Sequence, residues 1–128
     1  MPRSMKLALI GSRGYPALDL VRRFVVDLPA DTIVVSGGAR GVDSAAEDAA
    51  RAVGLCVLVL EPDWETLGRR AGLVRNEEVI DEVDEVVAWW DGESRGTVHA
   101  LQLAGEAGKP VTVFGPHGEK IEDGPWSL

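Results

Sequence analysis

Five short apolar runs punctuate the chain, at residues 6–10, 32–36, 55–60, 85–89 and 110–114. They are continuous in Val, Ile and Leu rather than alternating, the pattern of strands buried on both faces of a parallel sheet. Between them lie stretches with helical spacing. Val21, Phe24, Val25 and Leu28 fall at i, i+3, i+4 and i+7 and give a first helix one apolar face. Residues 42–53 form a second, with Ala45, Ala46, Ala49 and Ala50 as a face small enough to lie close to a sheet. A third helix is predicted over residues 71–82, and a fourth over 97–107, ended by Gly108 and Pro110. Strands alternating with helices imply βαβ crossovers. The fold class expected is therefore α/β, a single Rossmann-like three-layer domain on a five-stranded, mainly parallel sheet. It would occupy residues 1–114, followed by a polar, Gly/Pro-rich C-terminal tail at 115–128.

The turns after the strands carry the chemistry. In three of them a glycine-rich turn bears an arginine: Gly11-Ser12-Arg13-Gly14, Gly37-Gly38-Ala39-Arg40-Gly41 and Asp91-Gly92-Glu93-Ser94-Arg95-Gly96-Thr97. On parallel strands these turns line one edge of the sheet, where open α/β sheets bind ligands. Ser12 and Arg13 can donate to an anion beside backbone that glycine leaves accessible; the alternative is a tight turn whose arginine points into water. The second loop joins strand to helix through three glycines, so free N–H groups and a helix dipole meet at one point, the usual recipe for phosphate. Its frame Ser36-x-Gly38-x-x-Gly41 departs from the dinucleotide fingerprint by its leading serine. Glu61 stands about 20 residues on, where that fingerprint wants an acid, but the motif follows the second strand, which argues against an ordinary NAD dehydrogenase.

Asp43 has two readings. It is a carboxylate beside the presumed ligand, either catalytic or bonded to a ribose hydroxyl; equally, Asp43 favours a helix start, and Ser44 with Glu47 fits a capping box. Asn76 shares the apolar stripe of Leu73, Ile80 and Val83, so its amide must either tie down backbone or reach a ligand. Arg75 is placed to pair with Glu78 on the helix surface, and Arg69 and Arg70 read as a solvated face. Trp90 fits rim packing better than base stacking. His99 reads as structural.

Composition narrows the classes. The chain has 128 residues, 45% hydrophobic and 27% charged, enough for one compact domain. The formal net charge of −8 points away from a broad phosphate-tracking surface, so no nucleic-acid partner is expected, though a local anion site is. No apolar run is long enough for a membrane span, which predicts a cytoplasmic protein without a membrane partner. The lone Cys56, inside an apolar run, is expected in the core, and no Cys/His cluster has metal spacing.

In order, GSRG, SGGARGVDSAA, AGLVRN and DGESRGT resemble the SLOG superfamily of Rossmann-like proteins, and within it the small YspA-like branch. The superfamily includes the Lonely Guy phosphoribohydrolases, molybdenum-cofactor carrier proteins and DNA-processing protein A. The resemblance spans residues 6–114. It implies a nucleotide-type small molecule over the carboxyl ends of the strands and no further cofactor. By match, Gly11, Ser12 and Arg13 would line the site, with Gly37, Gly38, Arg40, Gly41 and Asp43 beside them. Arg75 and Asn76 would join from the third helix, and Gly92, Ser94, Gly96 and Thr97 from the last loop. Homodimerisation through helices is also implied.

Lonely Guy hydrolases carry an essential glutamate in their PGGxGTxxE motif; Ala100 stands at that position here, while Arg75 matches their catalytic arginine. The expected function is thus binding of a phosphate-bearing nucleotide, as a sensor. The alternative is a phosphoribohydrolase or N-glycosidase with Asp43 as its catalytic residue. A protein–protein adaptor has no positive feature beyond the Trp-bearing tail.

Overall fold

A computed structural model describes residues 4–127. Strands β1 (Lys6–Gly11), β2 (Ile33–Ser36), β3 (Cys56–Val59), β4 (Glu85–Trp89) and β5 (Val111–Phe114) form one sheet in the order β3-β2-β1-β4-β5, every pair parallel. Helices α1 (Leu18–Val26), α2 (Val42–Ala52), α4 (Ala71–Glu82) and α5 (Arg95–Glu106) connect them. A short helix α3 (Trp64–Leu67) and a 3-10 turn (Gly68–Arg70), unforeseen from periodicity, precede α4. Asp63 starts α3 by accepting the amide of Thr66 at 3.2 Å.

The continuous apolar runs are explained by burial on both sides of the central strands. Along β1, Leu7 and Leu9 face a core shared with Val21 and Val25 of α1 and Ala46 and Ala50 of α2. The alternate residues Ala8 and Ile10 face Val79 and Ile80 of α4 and Leu101 of α5. Two helices on each side of the sheet make three layers. Trp89 closes one core at the end of β4, edge-on to Phe24 at 5.3 Å and stacked on Phe114 at 5.7 Å. The tail docks rather than floats: Ile121 donates to the carbonyl of Val113 at 2.8 Å, and Trp126, 8% exposed, meets Trp90 edge-on at 5.2 Å.

Three expectations are corrected here. Cys56 is exposed, because it opens β3, an edge strand none of whose residues is fully buried. Leu73 is also exposed: the buried face of α4 is set by Ala71, Val79 and Ile80, a slightly rotated stripe. The fourth helix begins at Arg95, two residues early, because Ser94 is its N-cap and its Oγ accepts from the Thr97 amide at 3.5 Å.

Candidate functional site

The chain order reverses between β1 and β4: from β1 it runs outward to β2 and β3, then returns to the other side. Such a switch point opens a crevice at the carboxyl ends of the strands. A cleft of about 380 Å³ lies there, toward the small end of the range for small-molecule sites. Gly11, Arg13 and Gly14 line it from the β1 turn, Gly37, Ala39 and Asp43 from the second loop and α2, and Arg75 and Asn76 from α4. Asp91, Ser94, Gly96, Thr97 and Ala100 complete it from the β4 turn and α5.

Glycine is required where the loops touch. Gly41 has φ +77°, and a Cβ there would strike the backbone of Arg13, so the second loop can pass under the first only without a side chain. At Gly11, an added Cβ would lie 2.6 Å from Val42, the first residue of α2. These approaches bring the N-terminus of α2 against the end of β1, and the N-terminus of α5 lies across the cleft, so both helix dipoles are positive toward it.

Asp43, 4% exposed, occupies the first turn of α2. Gly41, not Asp43, is the N-cap residue, and no side chain caps the helix. The capping box expected from Ser44 and Glu47 does not form; Glu47 instead accepts from Ser36 Oγ at 2.5 Å, and that hydroxyl accepts the Gly38 amide at 3.3 Å. Asp43 Oδ2 accepts the Ala39 amide at 3.2 Å. Burial raises its pKa from 3.8 to about 6, against the amides of Ala39 and Gly37 and the attraction of Arg75, which favour the charged form.

Arg75 leaves the helix surface rather than pairing with Glu78 as expected. Its Nη1 donates to the carbonyl of Gly37, and its Nε to Asn76 Oδ1 at 3.0 Å. Gly37 permits this, since a Cβ there would lie 2.8 Å from Nη1. Burial lowers the pKa of Arg75, Asp43 raises it, and the nearby Arg13 lowers it again. Two guanidinium groups thus repel each other in the cleft, a repulsion that an anion between them would relieve. Asn76 turns inward and ties down backbone, donating to the Gly96 carbonyl at 3.3 Å, while its Nδ2 lies 3.0 Å from His99 Nδ1.

Other predicted residues are set differently. Ser12 is 1% exposed; its Oγ accepts the Asp91 amide at 3.1 Å and sits 3.4 Å from Thr97 Oγ1, so it clips the two central turns together beneath the cleft. Gly38 and Arg40 line a smaller adjoining pocket, and Gly92 sits on the outer side of the β4 turn, with φ +89°. Trp90 packs on the tail and donates from Nε1 to the Ser94 carbonyl at 3.1 Å, the rim role expected of it.

Asp91 was not singled out from the sequence, though an aspartate preceding Gly and Ser in a turn is a recognisable signal. It accepts the amides of Glu93 and Ser94 at 2.9 and 2.8 Å. Burial pushes its pKa upward, but these amides and the Ser12 hydroxyl hold it below the ordinary value.

The cleft therefore offers guanidinium groups and helix amides beside a buried carboxylate. Among the described residues no group of three or more His, Cys, Asp or Glu is placed to hold a metal, and no helix is long and apolar enough to cross a membrane.

Fold and cleft together define a Rossmann-like α/β protein with an anion-suited site at the switch point of a parallel sheet. The chain belongs to the family of the Gene 61 protein of Mycobacterium phage D29, to which it is 40% identical over 93 residues, covering 68% of this chain and 74% of that protein. No family model matches it. Among solved structures it is similar to DNA processing protein A of Streptococcus pneumoniae, with a TM-score of 0.72 and 21% identity over 88% of this chain and 50% of that one. It is also similar to DNA processing protein A of Helicobacter pylori, with a TM-score of 0.62 and 25% identity over 86% of this chain and 65% of that one. The chain thus spans between half and two thirds of those proteins.

The Streptococcus pneumoniae likeness, at 21% identity, shows the shared fold, and the Helicobacter pylori one, at 25%, supports the SLOG superfamily. The latter also corrects the expectation of no nucleic-acid partner, because the Helicobacter pylori protein binds single-stranded DNA. Whole-chain charge was the wrong measure: it sums acids far from the cleft, whereas the arginines converge locally.

Proposed function

We propose that the chain binds a phosphate-bearing, nucleotide-type ligand in the switch-point cleft, as a small cytoplasmic sensor of the YspA-like branch. One observation carries this reading: Arg13, Arg75 and two helix N-termini converge on a cleft that also presents the buried carboxylate of Asp43. Cationic donors suit phosphate, and a carboxylate suits sugar hydroxyls, so the pairing favours a nucleotide over bare phosphate. Charge-assisted hydrogen bonds to phosphate contribute about 1.5–3 kcal/mol each. Thermal denaturation against a panel of nucleoside monophosphates, NAD and ADP-ribose tests it. A bound ligand at a hundred times its dissociation constant adds about 2.7 kcal/mol of stability. A flat response across the panel, with Arg13→Ala indistinguishable from the parent, refutes it.

A second reading is favoured by the single-stranded DNA binding of the Helicobacter pylori protein. The same donors would then hold phosphates of a strand, and affinity for an oligonucleotide would fall steeply with salt. A hydrolytic version is less well supported. Cleaving an N-glycosidic bond calls for a carboxylate at the anomeric carbon, and Ala100 leaves Asp43 as the buried candidate. Free-base release from nucleoside monophosphates, abolished in Asp43→Asn, is the result that version requires.

A further inference from the structure

Beside the cleft lies a second pocket of about 240 Å³, walled by Arg13, Arg40, Arg75, Glu61 and Trp64. Arg13, Ala39 and Arg75 line both spaces, so the two share a wall of guanidinium groups. Three arginines against one glutamate leave this pocket positive in a chain whose net charge is −8. Neither Arg13 nor Arg40 forms an ion pair within the protein among the described residues, so both remain available to an external anion.

Trp64 gives the pocket an aromatic wall. It is 53% exposed although it opens a helix, and its ring edge lies over Gly72 of α4, with Cη2 3.7 Å from where a Cβ would stand. A large indole kept half in water beside Arg13 and Arg40 is poorly explained by packing. It is a ready surface for stacking a base. Glu61 lies against the second loop, its Cγ 2.9 Å from a Cβ built on Gly38, and has no ion-pair partner among the described residues. Such a carboxylate accepts sugar hydroxyls without needing a cation.

We infer that this pocket is a second nucleoside subsite, and that the full ligand is two nucleotide units joined through phosphate. Trp64 stacks the second base, Glu61 accepts its ribose hydroxyl, and Arg13 and Arg40 hold the bridging phosphate between the two spaces. This inference rests on the nucleotide reading of the main cleft and deepens it.

Isothermal titration with 5′-AMP, the 5′-phosphorylated dinucleotide pApA and its deoxy counterpart pdApdA tests it, in the parent, Trp64→Ala and Arg40→Ala. The substituted side chains are exposed, so the fold is not at stake. pApA is expected to bind about tenfold or more tightly than AMP, the scale of one stacked base. Each substitution should erase that advantage while leaving AMP affinity within about twofold. The inference is overturned if pApA binds no better than AMP, or if its advantage survives both substitutions. Equal binding of pApA and pdApdA overturns the role given to Glu61 and assigns the subsite to strand-like DNA. If neither AMP nor pApA binds, the nucleotide reading of the main cleft fails, and this one with it.

Discussion

Replacing Asp43 by asparagine should make the protein more stable at neutral pH and less pH-dependent. The carboxyl is buried and titrates near 6 in the folded chain against 3.8 when free. Between those values the native state holds a proton that the unfolded state has released, so stability falls as pH rises from about 4 to 6 and stays low above. At 1.36 kcal/mol per pKa unit, the full penalty is about 3 kcal/mol. An asparagine at this position would carry no charge to desolvate, and its amide oxygen can still accept the Ala39 amide. The gain at pH 7.5 should therefore approach, without exceeding, that figure, worth several degrees in Tm for a domain of this size. Urea denaturation of parent and variant at pH 4, 5, 6 and 7.5 measures it. The two curves should nearly coincide at pH 4 and diverge above, while the contribution of Asp91, which is not among the groups that shift Asp43, is common to both and cancels. A constant offset from pH 4 to 7.5, or an asparagine variant less stable at pH 7.5, would refute the account of Asp43 as a desolvated carboxylate.

Gly41→Ala should cost about 1–3 kcal/mol or more, since alanine at φ +77° is strained and its Cβ meets the backbone of Arg13; chemical denaturation reads it directly. Trp126→Ala should destabilise by about 3 kcal/mol through loss of the docked tail, yet leave ligand affinity unchanged, because Trp126 lines neither the cleft nor the adjoining pocket. Cys56 should react with a thiol reagent in the native state at a rate close to that of the unfolded chain, whereas a core cysteine would be protected. If a ligand hydroxyl bonds Asp43, binding at pH 6 should release more protons in the parent than in Asp43→Asn, because that bond favours the charged carboxylate while the ligand phosphate, which also titrates near 6, is common to both; titration in buffers of different ionisation enthalpy measures the difference, and a smaller release in the parent would place phosphate there instead.

The sheet was legible because its centre is buried on both faces. Along β1 and β4 successive residues belong to opposite cores, and only an unbroken apolar run satisfies both. The same logic misplaced Cys56, since an edge strand carries a similar run with less cover, and strand order is not written in any local window. Positions such as Gly37, Gly41 and Arg75 were legible as a set, but their relations were not. That Arg75 of α4 would reach the Gly37 carbonyl, instead of Glu78 one turn away, depends on how α4 crosses the end of β2. Asp43 shows the limit most clearly: an aspartate in the first turn of a helix looks alike whether it caps in water or is buried under a neighbouring loop. Only the packing of Val42 on Gly11, and of Gly41 beneath Arg13, decides between them.

Net charge misled for a related physical reason. Charges separated by more than about 8–10 Å through salt water scarcely feel one another, so the total of −8 says little about the field at a ligand. Many of the acids that make up that total, such as Asp27, Glu77, Glu106 and Glu122, are exposed and outside both pockets. Arg13 and Arg75, by contrast, come from different segments and meet at one wall shared by the two spaces, and Arg40 joins them in the smaller one. A ligand phosphate meets that wall rather than the sum. An acidic chain of this kind excludes the broad basic track that follows a duplex, but not the capture of a few phosphates, which is all that a dinucleotide or the end of a single strand presents.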